Sequence, residues 1–239
     1  MTTTKMILSN SEFMTFQRKM QKLILVAISS FVLCAPLVSA QEIIIRLVDA
    51  DGAPVPDAVM ELLSDKAASS TSTAMREAEI DQLDKEFVPT VTTIVAGGSA
   101  SFPNSDDILH HVYSFSSAKT FDTPLYGSDA NSEYREMFDV PGVVEIGCNI
   151  HDWMLAYIYV GESELMAISN DVGVIDLANI PPGQYRLRIW HSRLDAPQNS
   201  VEQDVVIEAG RVAELELTLE LARDRRVRRA PSANRKRYR

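Results

Sequence analysis

The segment GQYRLRIW, residues 183–190, sets Tyr185, Leu187 and Ile189 against Arg186 and Arg188 in strict alternation. A period of two belongs to a strand with one apolar and one polar face. Similar short units recur along the chain, divided by Gly, Pro, Asn and Asp. EIIIRLV (42–48) and AVMELL (58–63) flank the turn residues DADGAPVP, and FVPTVTTIV, SASFPN, HHVYSFS, GVVEIGC and LAYIYVG follow. After residue 165, MAISNDVGVIDLANIPPGQYRLRIWH joins three strands through Asn-Asp and Pro-Pro-Gly turns. VEQDVVIEAG and RVAELELTLEL then alternate across Ala209-Gly210 as a closing hairpin would. Strands this short and frequent predict an all-β chain built as a sandwich. The polar stretch AASSTSTAMREAEIDQLDKE (67–86) interrupts the rhythm; with good helix formers only in its second half, it reads as a linker leading to a short helix.

The two ends differ from this body. Arg18, Lys19 and Lys22 precede the apolar run LILVAISSFVLCAPLV and the small-residue site Val38-Ser39-Ala40, the pattern of a secretory signal peptide cleaved near Ala40. Export to the periplasm is the expectation. Cleavage removes Cys34 and leaves Cys148 alone, so no intramolecular disulfide can form. Residues 41–222 carry 10 basic and 31 acidic residues, a balance of −21, whereas residues 223–239 carry nine Lys and Arg against one Asp. The acidic body would attract a basic partner at long range. The basic tail has no apolar periodicity and reads as solvated chain, with anionic lipid, an acidic protein or the acidic body as its alternatives. Nucleic acid is not expected as a partner, because an exported protein rarely meets any. About 200 residues remain after cleavage, enough for one large sandwich or two small ones.

Residues 147–154, GCNIHDWM, put a cysteine, a histidine and a methionine in one short loop. Thiolate and thioether are soft ligands and imidazole is borderline, so Cys148, His151 and Met154 together suit copper better than ions that seek oxygen. Such a site needs a second imidazole from elsewhere, and HHVYSFS supplies His110 or His111. Neighbours on a strand face opposite ways, so only one of the pair can easily point at the metal. Zinc would accept Cys and two His, but structural zinc takes four firm N or S ligands and does not normally choose methionine.

FPNSDDILHHVYSF followed by PGVVEIGCNIHDWM resembles the cupredoxin pattern, in which an upstream strand histidine precedes a Cys-to-His-to-Met loop. With IPPGQYRLRIWH after the loop, most of residues 42–220 is similar to exported methylamine utilization proteins, which pair a cupredoxin-like region with a carboxypeptidase-regulatory-like β-sandwich. The resemblance implies a cupredoxin-like Greek-key β-sandwich over 41–161 and a second small Ig/transthyretin-like β-sandwich over 162–222, with 41–64 open to pairing in either. It also implies one copper ion. His110 would be the upstream ligand, because the ligand histidine of cupredoxins precedes a polar residue and then valine, here His111 and Val112. Cys148 would be the thiolate, His151 the second imidazole and Met154 the weak axial donor. Only Asp152 and Trp153 separate His151 from Met154, the short spacing of amicyanin, although Asn149, Ile150 and Asp152 stand where amicyanin-type loops carry prolines.

Three functions fit these residues: an electron carrier whose partner is a redox protein such as a cytochrome c or a dehydrogenase, a copper-holding or delivery protein, and a metal-free interaction module. An enzyme in its own right is not expected. Multicopper oxidases and reductases need further His-rich centres, and the chain has four histidines in all. No Gly-rich phosphate loop is evident, and no nucleophile sits with a plausible base. His191, beside Trp190, reads as structural or surface; Trp153 fits a metal shield, a contact surface or a core residue; Ser105-Asp106-Asp107 reads as a turn rather than a calcium site.

Overall fold

The computed structural model describes residues 41–64, 76–129 and 134–224. The signal-peptide pattern, the first part of the 67–86 linker and the basic tail from residue 225 onward lie outside the described residues. The described chain is all-β. Its strands are β1 Glu42–Asp49, β2 Val59–Leu63, β3 Glu77–Glu79, β4 Asp81–Leu83, β5 Glu86–Val88, β6 Val91–Val95, β7 Gly98–Phe102, β8 Tyr113–Ser116, β9 Lys119–Asp122, β10 Tyr134–Phe138, β11 Gly142–Cys148, β12 His151–Gly161, β13 Met166–Ile168, β14 Val174–Ala178, β15 Gly183–Trp190, β16 Ser200–Ile207 and β17 Val212–Leu219. Among the described residues the one helical turn is a 3-10 turn at Pro197–Asn199.

Two sandwiches result. In the first, a five-stranded sheet ordered β6-β12-β11-β8-β9 packs against a three-stranded sheet ordered β10-β7-β3. Ile94, Ile146 and Ile158 from one layer meet Phe102, Phe138 and Ala100 from the other. Along β12 the period of two is visible, with Met154, Ala156, Ile158 and Val160 turned into this core. In the second sandwich, β14-β1-β17 packs on β13-β2-β15-β16. Ile43, Ile45 and Leu47 there face Met60, Leu62, Leu187 and Ile189.

The segment 41–64, which the sequence leaves open to either sandwich, pairs through β1 and β2 with the second. β1 lies between β14, antiparallel, and β17, parallel, with Glu42 opposite Val212. β2 lies between β13 and β15. A short helix expected at the end of the 67–86 stretch is not formed: residues 77–88 make β3, β4 and β5 instead. Its Ala, Glu and Gln residues favour a helix weakly, and pairing outweighs that preference. Ala78, Ile80 and Gln82 alternate inward while β3 runs parallel to β7, with Ala78 opposite Ala100.

The polar face of β15 is covered only at its C-terminal end, since Gln184 and Arg186 are exposed. Trp190 joins Val59, Val91, Val95, Tyr159 and Met166 in a third apolar cluster where the two sandwiches meet. Arg188, two residues before it, reaches Glu61, Glu162 and Glu202. The edge of the first sandwich formed by the β11–β12 turn is where the site assembles.

Candidate metal centre

Cys148 ends β11 and His151 opens β12, with Asn149 and Ile150 as the turn between them. The two strands pair regularly from Gly142 opposite Val160 to Gly147 opposite Leu155, and then the register shifts so that Cys148 faces His151. That irregularity places the cysteine and the first residue of the returning strand side by side, which a continuous ladder would not do. His110 arrives from a separate segment just before β8. A two-way backbone bridge with Tyr126 fixes it, His110 N–H to Tyr126 O at 2.9 Å and Tyr126 N–H to His110 O at 3.0 Å.

The donor atoms converge. Cys148 Sγ lies 3.8 Å from His110 Nδ1 and 3.7 Å from His151 Nδ1. One ligand atom from each of the three residues falls within 4.8 Å of the others, a group able to hold a metal ion. His110 is fully buried and Cys148 is 3% exposed, while His151 is half-buried. Of the adjacent histidines, His110 is the one that faces the sulfur. His111 turns away, its Nε2 on Asp122 Oδ1 at 2.7 Å; the pair, expected on a strand, lies just before β8. Met154 is buried in the same apolar cluster as Cys148. Cys148 is the free cysteine of the described chain.

Electrostatics prepare the thiol. Burial by itself would raise the Cys148 pKa, but the hydrogen bond with His110 and the backbone N–H groups of Ile150 and His111 outweigh it and hold the thiol below its ordinary value. Burial would likewise lower His110, yet its bonds to Cys148 and Asp106 raise it. His151 is lowered, first by burial and then by the positive charges of His110 and Lys85. An easily formed thiolate between two imidazoles is a soft, compact donor set, and it fits a copper ion by the chemistry of its atoms.

One residue of the site was not recognised from sequence. Asp106, in the stretch that reads as a plain turn, accepts the His110 Nε2–H on Oδ2 at 2.7 Å. No periodicity marks such a residue, since it acts from a turn four residues before its partner. Trp153 flanks the other histidine, its ring centroid 5.3 Å from that of His151, and its indole N–H donates to Lys85 O at 3.0 Å. His191 lies outside the cluster and accepts the Arg193 N–H on Nδ1 at 3.3 Å within its own turn.

No family model matches the chain, and no curated protein matches it. Among solved structures it resembles a purple cupredoxin from Nitrosopumilus maritimus at 20% identity and a TM-score of 0.32, over 35% of this chain and 99% of that one. It also resembles amicyanin from Paracoccus versutus at 19% identity and a TM-score of 0.32, over 43% of this chain and 97% of that one. A copper-containing nitrite reductase from Thermus scotoductus SA-01 matches at 23% identity and a TM-score of 0.34, over 42% of this chain and 26% of that one. Likenesses at this level establish no function.

Proposed function

We propose that this is an exported mononuclear copper protein that passes single electrons, with His110, Cys148 and His151 as its firm ligands and Met154 as a weak axial donor. The observation that carries the reading is the sulfur of Cys148 set between two imidazole nitrogens at 3.7 and 3.8 Å in an apolar core. Copper held there would supply a one-electron couple whose potential depends on the axial group, on burial and on hydrogen bonds around the thiolate. The protein's own part is to keep the donors fixed: the Tyr126 bridge anchors His110, and the β11–β12 register shift anchors Cys148 and His151.

The same sulfur, His110 and Asp106 also form a Cys–His–Asp arrangement of the kind that activates a nucleophile. Burial speaks against that use, since Cys148 is 3% exposed and His110 is fully buried, leaving a substrate no approach. A second imidazole aimed at the sulfur has no role in such chemistry either.

Half-buried His151 is the ligand nearest solvent, and exposed Ile150 and Leu109 precede the two ligand histidines in the chain. That surface suits apolar docking of a redox protein, and the charge of −21 over residues 41–222 suits a basic one such as a cytochrome c or a dehydrogenase. Export to the periplasm and kinship with methylamine utilization proteins belong to the same proposal. Copper holding or delivery is the second reading, favoured by the partial exposure of His151. Loading with copper and following metal transfer to a chelator tests both: slow transfer with reversible one-electron reduction supports the carrier, and rapid transfer supports delivery.

A further inference from the structure

Asp106 is held from both sides. Its Oδ2 meets His110 Nε2 at 2.7 Å, with the Asp106 side chain 12% exposed and that of His110 fully buried. Oδ1 accepts the Asp84 N–H at 2.7 Å, and Oδ2 also accepts the Lys85 N–H at 2.9 Å. Asp84 and Lys85 are the two turn residues of the β4–β5 hairpin, and both have left-handed φ, 54° and 60°. The carbonyl of Lys85 takes the Trp153 indole N–H, and the Trp153 ring lies against His151. One two-residue turn therefore supports the groups beside both imidazoles.

A carboxylate can only accept, so a neutral His110 keeps its proton on Nε2 and turns the Nδ1 lone pair toward the Cys148 sulfur. The negative charge on the far side of the ring also makes Nδ1 a stronger donor. We infer that Asp106, clamped by the β4–β5 turn, is a positioning residue that fixes the tautomer of His110 and tunes the site toward the more highly charged ion. The inference rests on the copper reading above and adds to it a group that touches neither metal nor sulfur.

A stronger donor favours the oxidised ion over the reduced one, so removing the charge must raise the reduction potential. The test loads the full chain with copper(II) and compares wild type with Asp106→Asn and Asp106→Glu. Asn keeps the size and loses the charge. Its affinity for copper(II) relative to copper(I) should fall about tenfold, the lower end for a lost outer partner of a ligand histidine, which is about 59 mV for one electron. Glu keeps the charge and should restore most of the shift. A potential unchanged in Asp106→Asn, or raised equally in both variants, would overturn the inference while leaving the copper site standing. A wild-type chain that takes up no copper would overturn both at once. An independent arm needs no metal: nitrogen-resolved NMR of the apo wild type should show neutral His110 carrying its proton on Nε2. Should Asp106→Asn not fold, this arm decides the matter, and a neutral His110 with its proton on Nδ1 and Nε2 bare would refute the clamp.

Discussion

Replacing Glu61 by alanine should cost about 3 kcal/mol, because its carboxylate joins the two sandwiches and four donors converge on it. The Tyr159 hydroxyl donates at 2.7 Å, the backbone N–H groups of Glu162 and Ser163 at 2.7 and 2.8 Å, and Arg188 at 3.2 Å. Glu61 is 1% exposed, so water cannot take its place without opening the junction. Loss of the carboxylate leaves the Tyr159 hydroxyl buried without an acceptor, which costs about 1–3 kcal/mol, and the two N–H groups add about 1 kcal/mol more. Arg188 adds little, since it keeps Glu162 at 3.0 Å and Glu202 at 2.6 Å. For a chain of this size the sum corresponds to a fall in melting temperature of about 6–12 °C. Far-ultraviolet circular dichroism would follow the strands, and the fluorescence of Trp190, which sits in the cluster between the sandwiches, would report the junction. Tyr159→Phe removes one donor and should cost about 1 kcal/mol, and the double variant should cost less than the sum because the two groups share one bond. A Glu61→Ala protein within about 1 kcal/mol of wild type would refute the reasoning, since the carboxylate would then not be holding the halves together.

Two further outcomes follow from single residues. Met154→Leu should retain copper and its thiolate band but raise the reduction potential, because losing a weak axial donor destabilises the oxidised ion more; an unchanged potential would make Met154 a core residue, a volume-conserving change costing less than about 1.5 kcal/mol by thermal unfolding. Glu202 is held below its ordinary value of 4.5, mainly by its hydrogen bond with Arg188, so its stabilising effect is full above that value and is lost as pH falls through the folded one. Glu202→Gln should therefore melt below wild type at neutral pH, with the gap closing under acid; a gap that persists at pH below both values would contradict the assignment.

Most of the strand pattern was legible because a period of two leaves a mark in the longer strands. In β15 the residues on the apolar face, Tyr185, Leu187 and Ile189, are inside. What sequence could not show was which sheet each strand would join: β1 lies parallel to β17, whose pairing partner for Glu42 is Val212. For the same reason residues 77–86 read as helix-prone, since the pairing of β3 depends on β7, a partner beyond the local window. Cys148, His151 and the His110–His111 pair stood out by residue type and spacing, and the structure turns one of the adjacent histidines to the sulfur. Asp106 and Glu61 were missed because their roles come from hydrogen bonds made across the fold, where a turn and a strand face meet distant groups.

The central claim concerns one sulfur. Wild-type protein titrated with copper(II) should bind one ion per chain and develop an intense visible band from charge transfer between thiolate and copper, and Cys148→Ser should lose that band while keeping the β-sheet dichroism of the wild type. Copper bound without the band in wild type, or the band retained in Cys148→Ser, would contradict a thiolate centre at Cys148.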